Sequence, residues 1–135
     1  VETQRRFVER RKSHRVEARV PIQLEEREEE FRGETIPAES ANLSEGGVYC
    51  EVGKYLPPLT KVAITMLLPS FGGKHAKPLE IKAEGVIVRA LPEKQGRKIV
   101  KCRIACAFTS ITDEQRAIVR EYIIWRLLGG LRGNV

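Results

Sequence analysis

From Val16 to Phe108 the chain is a succession of short stretches in which apolar and polar residues alternate, separated by turns. A period of two is the signature of a strand with one buried face. In "VEARVPIQL", Val16, Ala18, Val20, Ile22 and Leu24 share one face, and Pro21 marks an edge position or a bulge. "TIPAESANLS" reads as a strand ending near Asn42, and "GVYCEV" as the next. Val62, Ile64, Met66 and Leu68 line one face of a further strand. In "LEIKAEGVIVRAL" the alternation runs through Leu79, Ile81 and Ala83 and shifts phase around Gly85, which predicts a bulge. "EKQGRK" is a hairpin turn, after which Val100, Cys102, Ile104, Cys106 and Phe108 share a face. The charge-rich "EEREEEFRGE" and the Gly- and Pro-punctuated "LPSFGGKHAKP" are loops. Short strands in series, with no helix between them, constrain the chain to an antiparallel barrel or sandwich.

The chain closes differently. Thr112 is a suitable N-cap and Gln115 follows three residues later, as in a capping box. "DEQRAIVREYIIWRLL" carries Ile118, Tyr122 and Trp125 down one side of a helix, with Gly129 as its stop. Residues 122–128 are apolar nearly all round, more than one barrel face can cover, so part of this surface is expected to meet a protein partner.

A length of 135 residues suits one domain, and 41% hydrophobic with 31% charged residues suits a globular one. The net charge of +6 favours anionic partners without choosing among them. No apolar run is long enough to span a bilayer and no signal peptide is visible. Three cysteines without a CxxC pair argue against a disulfide framework or a zinc site, and the simpler expectation is a reducing, cytoplasmic compartment. A general single-strand nucleic-acid binder would line a strand face with stacking aromatics, whereas the eight here are scattered, so no specific nucleic acid is expected as partner.

Two short stretches carry chemistry. "NLSEGG", residues 42–47, is on its own an ordinary turn between strands. On the functional reading the turn is a small polar cradle. Asn42 offers an amide that donates and accepts, and Ser44 a rotatable hydroxyl. Gly47, with Gly46 before it, allows a positive φ and the close approach of a flat ligand. A purine edge sets donors and acceptors side by side as such a cradle requires. "RKSHR", residues 11–15, is a solvated basic lead-in on the plain reading. On the functional reading Arg11 and Arg15 use the planar guanidinium fork, which grips phosphate and the O6/N7 edge of guanine and stacks on bases. "RFVER" and "RVEAR" match the RxxxR spacing equally well.

Taken together, RxxxR, a strand beginning directly after Arg15, and then Asn42, Ser44 and Gly47 in (D/N)xSxxG order resemble the PilZ domain family, whose members bind the bacterial second messenger cyclic di-GMP. "EGVIVRA", "RIACAF" and the capped terminal helix extend the resemblance along nearly the whole chain from about Arg10. It implies an all-β fold, a six-stranded antiparallel barrel with a C-terminal helix, over residues 10–135, preceded by a flexible arm at 1–9. It implies a receptor with no catalytic activity and no cofactor, its ligand being cyclic di-GMP. Arg11 and Arg15 would contact phosphates and guanines, with Arg10 sharing the work. Asn42, Ser44, Gly46 and Gly47 would surround a guanine. Ordering of the RxxxR arm would then signal to a downstream protein partner or fused domain, and a homodimer is left open. The rival within the same fold is an adaptor that acts through its apolar C-terminal helix with little nucleotide binding.

Other residues carry less. Cys50, Cys102 and Cys106 read as small core hydrophobes. His14 is placed to stack on a base or to face solvent, and His75 has no partner in view. Arg89, in "IVRA", reaches either the ligand side of the barrel or solvent.

Overall fold

The computed structural model describes residues 15–27, 34–73 and 76–129. Arg10, Arg11, the arm at 1–9, His14 and His75 lie outside the described residues. Among the described residues, seven strands and one helix follow in order: β1 (Val16–Glu17), β2 (Pro21–Glu26), β3 (Thr35–Ser44), β4 (Gly47–Val52), β5 (Lys61–Leu68), β6 (Leu79–Gln95), β7 (Lys98–Ser110) and α1 (Asp113–Leu127). All pairings are antiparallel, and β4 bonds to both β3 and β7. The ring β2–β3–β4–β7–β6–β5 therefore closes on itself as a six-stranded barrel, with β1 as a two-residue addition beside β3. Closure leaves the ring no free edge.

The inward faces match the alternation except at Val100, which is exposed and is skipped in the register between β6 and β7. Ile22 and Leu24 of β2, Val62, Ile64, Met66 and Leu68 of β5, Ile81 and Ile87 of β6, and Cys102, Ile104 and Cys106 of β7 are all buried in one core. All three cysteines are buried, and burial pushes the thiols of Cys50 and Cys106 up to about 12, out of the reactive range. The hairpin turn between β6 and β7 forms as expected, with Gly96 at φ 64°.

Four further expectations need correction. The strand from Val16 to Leu24 is broken, because the chain corners at Ala18–Val20 between β1 and β2. Ser40, buried on β3, staples that corner: its hydroxyl accepts from the Val20 N–H at 3.0 Å and donates to the Ala18 carbonyl. Ser40→Ala leaves a buried donor and a buried acceptor unpaired, and should cost about 2 kcal/mol in urea denaturation with an unchanged m-value. The second correction concerns β3, which runs on past Asn42 to Ser44.

The third concerns the phase shift in β6. Gly85 keeps the inward phase and the flip comes at Val88, which is skipped in the register with β7. The ladder does shift beside Gly85, but there β7 carries the extra residue, Thr109. The fourth is the capping box. The Thr112 hydroxyl accepts from the Gln115 N–H at 3.2 Å, yet the Gln115 carboxamide does not reach back; it accepts from the Lys82 N–H of β6 at 2.9 Å. The start of the helix is thus tied to the barrel.

Helix α1 buries Val119, Tyr122 and Ile123, with Ile118 and Trp125 partly covered. Phe71 meets Tyr122 edge-on at 5.2 Å between ring centroids, a favoured aromatic geometry. Gly129, at φ 76°, ends the helix with its N–H on the Arg126 carbonyl. Ile124, Leu127 and Leu128 stay exposed. No helix among the described residues is long and apolar enough to cross a membrane.

Candidate functional site

A cleft of about 370 Å³ lies on the outer surface of the barrel where β3, β4, β7 and β6 meet the residue preceding β1. It is lined by Arg15, Asn42, Ser44, Gly46 and Gly47, so the two motif stretches, distant in sequence, share one cavity. Of the seven residues singled out, these five are brought together; Arg10 and Arg11 lie outside the described residues.

Two bulges build this cleft. On β3 the buried side chains are Ile36 and Ser40, then Leu43, so the inward phase flips between Ser40 and Leu43. The register with β4 skips Ala41 at that point. With a strict period of two, Asn42 and Ser44 would follow Ser40 into the core; the bulge turns both out to the cleft. On β6 the extra residue is Val88. It swings Arg89, which would follow Ile87 inward, onto the outer surface opposite Ala105. Both bulges therefore re-aim polar side chains that the strand pattern alone would bury.

The floor of the cleft is flat. Gly47 pairs with Ala107, and Tyr49 with Ala105, which in turn faces Arg89 across β6. Residues with no side chain beyond Cβ occupy the centre, and Tyr49 and Arg89 stand two strand spacings apart on either side, about 10 Å between backbones. An aromatic wall, a guanidinium wall and a floor of methyl groups suit a planar heterocycle.

Gly47 serves a different purpose from the one its type suggests. It has no positive φ; a Cβ there would stand 2.2 Å from the Cys106 carbonyl oxygen of β7. Close approach of backbones, not turn geometry, excludes a side chain. The Ser44 hydroxyl is partly used within the turn, accepting from the Gly46 N–H at 3.2 Å and donating to the Gly47 carbonyl at 3.3 Å. The Asn42 carboxamide makes no hydrogen bond to any described residue. Arg15 is exposed and has no carboxylate partner among the described residues.

The reading of Arg89 as either ligand-side or solvent-facing resolves to the cleft. The signal for it was present in the sequence: an arginine two places after Ile87 falls on the core phase of β6, and a charge there requires the strand to slip. Tyr49 and Val88, also on the cleft wall, carried no such mark.

The family model of the PilZ domain matches residues 9–125. The chain belongs to the PilZ domain family. Among solved structures, the Bacillus subtilis inhibitor of motility MotI/DgrA superposes with a TM-score of 0.71 at 21% identity, covering 88% of this chain and 52% of that one. The chain thus spans about half the length of that protein. The PilZ domain of YcgR from Escherichia coli with c-di-GMP superposes with a TM-score of 0.60 at 15% identity, covering 93% of this chain and 96% of that one. At these identities the neighbours show the shared PilZ barrel and its C-terminal helix. No curated protein matches the sequence.

Proposed function

We propose that this PilZ domain is a non-enzymatic receptor for cyclic di-GMP. The observation that carries the reading is the convergence of Arg15 and the Asn42–Gly47 turn on one flat-floored cleft. In this reading the Asn42 amide and the Ser44 hydroxyl read a guanine edge. The base lies over Gly47, Ala105 and Ala107, and Arg15 and Arg89 take phosphate or stack on the exposed base face. Arg10 and Arg11, just upstream, add further guanidinium groups. Family membership and a neighbour solved with c-di-GMP support the ligand class. Residues 10–135 form the receptor unit and 1–9 its leading arm. Closure of the RxxxR arm over the ligand changes the surface shown to a protein partner in the bacterial cytoplasm.

A second reading, a protein adaptor with little nucleotide binding, is favoured by one observation: Ile124, Leu127 and Leu128 leave an apolar strip exposed on α1. Isothermal titration separates the two. Saturable heat with cyclic di-GMP, and none with cyclic di-AMP or GTP, is the expected result. A folded sample that gives no heat with any of them overturns the receptor reading in favour of the adaptor.

A further inference from the structure

No residue of α1 lines the cleft among the described residues, yet α1 is tied to two segments that adjoin lining residues. On one side, Arg120 donates from Nε to Glu45 Oε1 at 2.9 Å, and Glu45 sits inside the motif turn between Ser44 and Gly46. On the other side, Arg126 donates from Nη2 to the Glu17 main-chain carbonyl. Glu17 belongs to β1, the two-residue strand that directly follows Arg15 and pairs Val16 with Leu43 and Glu17 with Asn42. A second groove, of about 710 Å³, separates β1 from α1, and Asn42 stands in the wall of both cavities. Thus β1 is a narrow partition with the cleft on one side and the helix on the other.

We infer that Arg120 and Arg126 are positioning residues for the cleft, and that cyclic di-GMP binding is coupled through them to the docking of α1. The inference rests on the receptor reading and adds its regulation. Strand β1 is anchored below by the buried Val16 and by the Ser40 staple at Ala18, and on its helix side by Arg126. Arg126 fixes the Glu17 carbonyl, and so limits where the adjoining Arg15 can stand. Arg120 fixes Glu45, and with it the turn that carries Ser44 and Gly46. Ordering these segments before the ligand arrives removes part of the entropy cost of binding. By linkage the coupling is reciprocal: a ligand that draws Arg15 and the turn together must tighten the contacts that α1 makes with them. The helix is then an output element, and its exposed end carries the state of the cleft.

The test uses the full chain and the Arg120→Ala/Arg126→Ala variant. The variant retains the Thr112 cap, the Gln115–Lys82 bond and the buried Val119, Tyr122 and Ile123, so circular dichroism should show an intact fold. Cyclic di-GMP titration should give a Kd roughly five- to tenfold weaker, the sum of one exposed ion pair and one hydrogen bond. Hydrogen exchange should show ligand-dependent protection of residues 120–128 in the parent chain, lost in the variant. The Arg126→Lys variant, which keeps a donor, should recover part of both effects. If the double variant unfolds, Arg120→Ala alone, a surface change, takes its place with a smaller expected shift. Unchanged affinity, or exchange in α1 indifferent to ligand, overturns the coupling while the receptor stands. A parent chain that binds no cyclic di-GMP overturns both.

Discussion

Gly47→Val is expected to cost about 3 kcal/mol or more of folding stability, and to abolish ligand binding along with it. The added Cβ would stand 2.2 Å from the Cys106 carbonyl oxygen, and 3.2 Å from the Ala107 Cα. Both obstacles are backbone, so no side-chain rotation relieves them. The strands must part, and they part where β4 joins β7 and the barrel closes. Urea denaturation measures the loss. Gly53→Ala is the control, since a Cβ there meets nothing within 4 Å, and its midpoint should hardly move. A Gly47→Val protein as stable as its parent would show that β4 and β7 are not held this closely.

Arg15→Ala should do the reverse, leaving stability intact and weakening cyclic di-GMP binding by about 10- to 100-fold. That range corresponds to the loss of one or two charge-assisted hydrogen bonds. Arg15 is exposed, so the melting temperature should stay where it is. Arg15→Lys should fall between parent and alanine, because it keeps the charge and loses the fork. Titration of the three proteins side by side gives the answer. Parent-like affinity in Arg15→Ala would remove "RKSHR" from the site and point to the Arg6–Arg10 spacing.

Local pattern made much of this fold legible. The inward faces of β5 and of β7 from Cys102 to Cys106, the hairpin at Gly96, the cap at Thr112 and the stop at Gly129 all follow from periodicity and from the turn chemistry of single residues. The two motif stretches were legible as a pair. What periodicity misses is where it breaks. The corner at Ala18–Val20 depends on the Ser40 hydroxyl, twenty residues away. The bulges at Ala41 and Val88 exist because polar Asn42 and charged Arg89 fall on core phase, and a slip of one residue is less costly than burying them unpaired. Arg120 and Arg126 carry no mark in the sequence, because their partners are 75 and 109 residues distant and no local rule links them.

The slips at Ala41 and Val88 have a bearing on how such a domain drifts. They move the polar groups of the cleft off the inner face, so folding and recognition draw on two separate layers of the same strands. Asn42, Ser44 and Arg89 can be exchanged without opening a hole in the hydrophobic interior. Gly47 belongs to both layers. A lineage can therefore discard recognition of its ligand, or alter it, while keeping a stable barrel, and the glycine should outlast its neighbours in descendants that have ceased to bind.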